Sequence, residues 1–287
     1  MGFSKEIKSM IKSDILITSR QNPTVKRVCA LLEKKERETS GLFRFDGIKL
    51  FLEAVDCGLD IDGVYIKESA WESICSRASA GLSVLPRERI ICVSDAVFDK
   101  MSEERAPEGI ITVAKHIDKF RKIDTIINIS VPSADKSVLL VESVRDPGNL
   151  GTVIRSAAAL GVGRIVMSAD CADVYNPKTI RAAMGGLFRA DILRIDVSLM
   201  PEYISRLRES GRRVFAAALD PNALMLGEFE TARGDCFVIG NEGHGLSREV
   251  IGACDRSVMI PMHEGCESLN AAAASVILMW EMQRANK

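Results

Sequence analysis

Beyond residue 137 the chain repeats one pattern that few architectures can accommodate. Short, unbroken apolar runs alternate with helical segments. Val138–Val141, Arg164–Met167, Ile192–Ile195, Arg213–Ala218, Phe237–Ile239 and Ser257–Ile260 read as strands. Leu150–Leu160, Pro177–Met184, a segment closing at Ser205–Ser210, Arg248–Ala253 and Leu269–Arg284 read as helices. A strand that never alternates with polar residues is covered on both faces, and strands linked through helices run parallel. The pattern predicts an α/β fold whose C-terminal parallel sheet carries helices on both faces.

The first half is less regular. Residues 22–39 carry Val25, Val28, Leu31 and Leu32 at helical spacing, with Asn22 as cap and Pro23 at the first helical position. Ile48–Cys57 reads as a helix ended by Gly58, and Trp71–Ala80 as one ended by Gly81. Phe43–Phe45, Val64–Ile66, Ile90–Val93 and Ile110–Ala114 read as strands of a small alternating β/α unit. Charged residues at 118–124 and turn-forming residues at 130–136 separate the halves. The expected division is a domain over 1–125, a linker over 126–136 and a second domain over 137–287.

With 38 basic and 39 acidic residues in 287, bulk charge does not hold this chain on a polyanion. The distribution is uneven, however. Residues 1–50 hold 11 basic and 6 acidic side chains, a net of +5 against −6 for the remainder. Lys26, Arg27, Lys34, Lys35, Arg37, Arg44 and Lys49 are candidates for phosphate contacts. A solvated helix face paired with Glu33, Glu36 and Glu38 explains the same charges.

The eight cysteines lack C-x-x-C spacing and sit largely in apolar runs, so they read as buried thiols of a reduced compartment rather than metal ligands. No metal site is expected. No apolar run reaches membrane-spanning length, and residues 1–14 are too charged for a secretory signal, so the expected location is the cytoplasm.

Three strand-following loops carry the residues suited to chemistry, at the edge where open α/β sheets bind ligands. The first, Asp146-Pro147-Gly148-Asn149, is a tight turn opening a helix that projects Arg155. The second, Ile239-Gly240-Asn241-Glu242-Gly243-His244-Gly245-Leu246, allows close backbone approach and does not have the G-x-G-x-x-G spacing of dinucleotide-binding folds. The third, Ile260-Pro261-Met262, leads through Glu264-Gly265-Cys266-Glu267 to Ser268-Leu269-Asn270 and an alanine-rich helix that Ser268 or Asn270 can cap. Capping, turn formation and core packing account for much of each loop taken alone.

Together and in this order, the three loops resemble the motifs of the SpoU (TrmH) family of SPOUT methyltransferases, over about residues 137–285. Asn176-Pro177-Lys178 to Gly185-Gly186 is similar to the family's middle region. Ser19–Pro23, Phe43–Gly47 and Pro107–Ile110 fit an L30e-like substrate-binding domain, with Asp46 where the family often has Glu. The resemblance implies a trefoil knot in the C-terminal domain, bound S-adenosyl-L-methionine, a homodimer and 2′-O-methylation of a ribose in structured RNA, ribosomal ahead of transfer RNA. It implies catalytic roles for Arg155, Asn149, Glu242, Ser268 and Asn270. Ile239, Gly240, Gly245, Leu246, Ile260, Met262 and Leu269 would hold the cofactor, and Lys26, Arg27, Lys34, Lys35 and Arg44 the RNA. Asn149 would hold the RNA or Arg155. Glu264 and Glu267 put two unexpected carboxylates beside the pocket. A non-catalytic RNA-binding relative and an unrelated nucleotide-dependent oxidoreductase are the alternatives.

Overall fold

The computed structural model describes residues 16–117, 122–123, 130–133, 135–263, 265 and 268–285. The chain forms two compact units. One covers residues 1–117 with Tyr175–Pro177, the other 118–174 and 178–287.

The first unit runs β1 (Leu16–Ile17), α1 (Pro23–Ala30), α2 (Lys34–Ser40), β2 (Leu42–Asp46), α3 (Ile48–Asp56), β3 (Ile61–Lys67), α4 (Trp71–Arg77), α5 (Ser79–Ser83), β4 (Ile90–Val93), α6 (Asp95–Met101) and β5 (Ile110–Lys115). Its sheet has the order β1-β4-β3-β5-β2. β4 pairs in parallel with β1 and β3, while β5 runs antiparallel to β3 and β2. One core face joins Ile48, Phe51, Val64, Ile66, Ile74 and Leu82. The other joins Val25, Val28, Leu31, Tyr65, Val97 and Phe98.

Two expected helices are broken. The 22–39 helix stops at Ala30 and restarts at Lys34. The buried Arg37 guanidinium donates to the Leu31 and Leu32 carbonyls at 2.8 and 2.6 Å, so the carbonyls exposed by the break are satisfied from the second helix. Gly81 does not end the 71–80 helix but lies inside α5. It is small because a Cβ there would stand 2.8 Å from the Phe51 ring.

The second unit continues with β6 (Lys122–Ile123), β7 (Val138–Val141), α7 (Pro147–Leu160), β8 (Arg164–Ser168), α8 (Pro177–Ala183), α9 (Gly186–Arg189), β9 (Ile192–Ile195), α10 (Met200–Glu209), β10 (Val214–Ala217), β11 (Leu224–Met225), β12 (Cys236–Ile239), α11 (Arg248–Ala253), β13 (Arg256–Met259) and α12 (Ala271–Arg284). Among the described residues these strands form one parallel sheet, in the order β11-β13-β10-β12-β7-β8-β9-β6. All four β7 residues are fully buried, as a strand covered on both faces requires. Val138 and Leu140 pack with Tyr203, Ile204 and Leu207 of α10 and Val250 of α11. The alternate residues Leu139 and Val141 face the opposite side, where α12 lies against α7 and β12. Burial pushes the Cys236 thiol up to about 11 and the Cys254 thiol to about 12, so both stay protonated in the core.

From β7 the sheet grows one way through β8 and β9 and the other way through β12 and β10. The direction in which strands are added to the sheet therefore reverses between β7 and β12, and a crevice opens outside their carboxyl ends.

Helices α7 and α8 cross almost backbone to backbone. A Cβ on Gly151 would lie 2.5 Å from the Thr179 carbonyl oxygen and 2.6 Å from the Ala182 Cβ. The helix-propensity gain of alanine, about 1 kcal/mol, is smaller than the cost of overpacking a fixed backbone, about 1–3 kcal/mol. Gly151→Ala is therefore expected to be net destabilising in urea melts, and an unchanged or raised midpoint would refute the close crossing.

Candidate functional site

The Asp-Pro-Gly-Asn turn follows β7. Asp146 caps α7, its Oδ1 accepting from the Asn149 amide at 2.8 Å, while its Oδ2 meets Lys178 Nζ at 2.9 Å. The Lys178 ammonium and the Asn149 amide hold the Asp146 carboxyl below its ordinary pKa.

The glycine-rich loop follows β12, the neighbour of β7. A Cβ on Gly240 would lie 2.5 Å from both the carbonyl carbon and oxygen of Gly245 and 2.6 Å from the Leu246 nitrogen. Only a residue without a side chain lets the loop fold back this closely. Asn241 and Gly245 exchange backbone hydrogen bonds at 3.1 and 2.9 Å, and Asn241 Oδ1 accepts from the Gly243 and His244 amides. The loop's far end is tied to β7. Buried Glu142 accepts from Ser247 N at 2.9 Å and Ser247 Oγ at 2.7 Å, and Ser247 in turn caps α11.

The third loop brings Asn270 to the start of α12. Its Oδ1 accepts from the Ala272 and Ala273 amides, which leaves its Nδ2 to donate. Nδ2 donates to Asn149 Oδ1 at 3.0 Å, and Asn149 Nδ2 donates to Glu242 Oε1 at 2.8 Å. An ionised carboxylate can only accept, so the chain is fixed from both ends and runs one way. It starts at the positive end of α12 and finishes on the Glu242 carboxylate.

Beside this chain lies a cavity of about 500 Å³. Ile239, Gly240, Gly245, Leu246, Ile260, Met262 and Leu269 all line it, as do Glu242, Ser268 and His244. Ala217, Ala218 and Leu219 also line it, and sequence reasoning missed them. They end and follow β10, which sits between β12 and β13, and that adjacency is a property of strand order, which local periodicity does not carry. Glu142 and Asn241 were given no role from sequence, although for Glu142 a polar residue directly after an apolar strand was available as a signal.

Arg155 is exposed on α7, and the structure does not join it to Asn149, whose side-chain oxygen and nitrogen are taken by Asn270 and Glu242. Glu264, Cys266 and Glu267 lie outside the described residues. In the first unit Lys26, Arg27, Lys34 and Lys35 are exposed, with Arg27 on Asp62 and Lys34 on Glu38. Arg44 is the correction. Its side chain is 2% exposed, pairs with Asp46 Oδ1 at 2.9 Å and donates to the Met101 carbonyl at 2.6 Å. It ties the sheet to α6 and does not face solvent, and Arg37 is likewise buried.

Comparison with known proteins decides the family. Residues 136–280 match the SpoU rRNA methylase family model, and residues 22–112 match an MRM3-like substrate-binding domain. The chain belongs to the SpoU rRNA methylase family. It is 30% identical to a Bacillus subtilis 23S rRNA (guanosine(2553)-2′-O)-methyltransferase, RlmP, over 93% of this chain and 98% of that one. It is 28% identical to a 23S rRNA (uridine(2479)-2′-O)-methyltransferase of Streptomyces viridochromogenes, over 93% and 91%. The crystal structure of an AdoMet-bound rRNA methyltransferase from Sinorhizobium meliloti superposes with a TM-score of 0.76 at 27% identity, covering 94% of this chain and 97% of that one. The matched residues 136–280 contain all three loops described above and the strands β7 to β13.

Two outcomes are expected of this SpoU chain. Arg44→Ala takes the cation from the largely enclosed Asp46 carboxylate, leaving it the Ser102 hydroxyl, and should cost about 3–5 kcal/mol in chemical denaturation. A loss under 1 kcal/mol would return Arg44 to the surface candidates. Because the Asp146 pKa is lowered on folding, its stabilisation is complete above about pH 4, the unfolded value, and is lost as the pH falls through the folded one. The stability gap between wild type and Asp146→Ala should hold steady from neutral pH to about pH 5 and shrink below about pH 4.

Proposed function

We propose that this chain transfers a methyl group from S-adenosylmethionine to a ribose 2′-hydroxyl of ribosomal RNA. The observation that carries the reading is one cavity lined by all seven cofactor candidates, with the Asn270–Asn149–Glu242 chain at its side. The cavity fits a nucleoside-sized ligand, which typically occupies about 300–1,000 Å³. Ile239, Leu246, Ile260 and Leu269 offer apolar wall for a flat base. Gly240 lies so close to the Gly245–Leu246 backbone that a Cβ there would force apart the loop that lines the cavity. S-adenosylmethionine supplies an electrophilic methyl group on a sulfonium.

The residues then have distinct work. The ribose oxygen must be positioned in line and must lose its proton. The ordered Asn149 and Asn270 amides and the Glu242 carboxylate would fix the site's shape and the direction of its donors. Arg155, exposed on α7, would stabilise the developing alkoxide rather than take the proton, since a guanidinium offers donors and no acceptor. Ser268 would close the cofactor side. Lys26, Arg27, Lys34 and Lys35 would meet RNA phosphates from the first unit.

We further infer a trefoil knot in the second unit, a homodimer and a cytoplasmic location. Val276 and Trp280, exposed four residues apart on α12, support an apolar contact between copies. Seven cysteines among the described residues are free thiols, in keeping with a reducing compartment.

S-adenosylmethionine at about a hundred times its Kd should raise stability by about 2.7 kcal/mol, and Gly240→Ala should abolish the shift in Tm. Arg155→Ala should lower kcat by about 10²-fold or more while leaving cofactor affinity within about twofold. Ribose-methylation mapping of total RNA, with and without the gene, identifies the site. A Tm shift with no site lost would leave a binding-only relative, and no Tm shift at all would sink the methyltransferase reading. Lys34→Ala and Lys35→Ala should weaken RNA binding across sequences and flatten its salt dependence.

A further inference from the structure

Ser143, two residues past the end of β7, has φ +57°, a left-handed conformation that serine rarely adopts. Its polar groups are all committed. Its amide donates to Ser168 Oγ at 2.8 Å. Its hydroxyl donates to Asp170 Oδ2 at 2.6 Å. Its carbonyl accepts from Asn241 Nδ2 at 2.8 Å. Ser168, fully buried at the end of β8, donates its own hydroxyl to Asp170 Oδ1 at 2.6 Å. Asp170 therefore receives one hydroxyl on each oxygen, and Arg145 stands 3.6 Å from the oxygen that Ser143 uses.

The route from Asp170 to the cavity is short. The Ser143 carbonyl holds the Asn241 amide, whose oxygen holds the Gly243 and His244 N–H groups. Those two residues line the cavity, and Glu242, just before them in the loop, receives Asn149. The direction of the Ser143 carbonyl depends on its left-handed φ, and without an anchor a serine would relax toward negative φ. Burial opposes ionisation of Asp170, but the two hydroxyls and Arg145 outweigh it and hold the carboxyl below its ordinary range.

We propose that Asp170 is a positioning residue of this methyltransferase, holding Ser143 in its left-handed conformation so that the Ser143 carbonyl braces the glycine-rich loop over the cofactor cavity. The proposal rests on the function argued above, but its first test does not require cofactor. Amide hydrogen exchange at Gly243 and His244 in the cofactor-free protein should accelerate at least tenfold in Asp170→Ala. Glycine tolerates positive φ without an anchor. Ser143→Gly alone should therefore exchange at the wild-type rate, and adding it to Asp170→Ala should bring the rate back to within about threefold. S-adenosylmethionine affinity should follow the same order, about tenfold weaker in Asp170→Ala and restored in the double variant.

Unchanged exchange in Asp170→Ala, or a double variant no slower than the single one, overturns the proposal. A merely structural loss would not be rescued by removing a second hydrogen-bonding side chain. If Asp170→Ala does not fold, Asp170→Asn keeps the shape, offers one acceptor oxygen to two hydroxyls, and carries the same exchange test. Exchange that responds as expected in a protein that takes up no S-adenosylmethionine would uphold the brace and overturn the methyltransferase reading instead.

Discussion

Parallel pairing of β7 with β12 is the constraint on which the rest of the second unit depends. Because all these strands point one way, each loop that follows a strand emerges at the same edge. Because β7 and β12 are adjacent although about a hundred residues apart, the turn at Asp146–Asn149 and the loop at Gly240–Leu246 face each other across one crevice. The sheet thereby brings together residues that have no local reason to meet. Glu142 on Ser247, Asn241 on Ser143 and Asn149 on Glu242 are three cross-links over that crevice, and all three bridge β7 and β12.

The fold class was legible because unbroken apolar strands leave few options. Val138–Val141 begins and ends where the apolar run does, Ile192–Ile195 is a strand over the expected residues although Arg194 interrupts it, and Arg248–Ala253 is a helix over the expected residues. The first unit was harder to read. The break at Leu31–Glu33 has no glycine or proline to mark it, and it is satisfied by a buried Arg37 that sequence reasoning placed among the surface charges. Arg44 failed for the same reason. A charged residue next to aromatic strand residues reads equally as a phosphate contact or a buried partner of Asp46, and only the register of β2 against β5 separates the two.

The candidate site was legible in its residue types and not in its wiring. Asparagine, glutamate and asparagine at 149, 242 and 270 stand in three separate loops, and their order of donation follows from the capping of α12. Ala217–Leu219 carry no chemical signal at all and enter the cavity wall only because β10 lies between β12 and β13. The Ser143–Asp170 contact escaped because positive φ at a serine leaves no mark in composition or period.

The capping of α12 by Asn270 makes the helix start and the site depend on one side chain. The amide that closes the start of this helix is the one whose orientation fixes Asn149, and through it the Glu242 carboxylate. The oxygen of Asn270 is claimed by the first amides of α12, so only its nitrogen is left to face Asn149. A change at the start of that helix therefore reaches, through two side-chain amides, a carboxylate on a loop that follows β12.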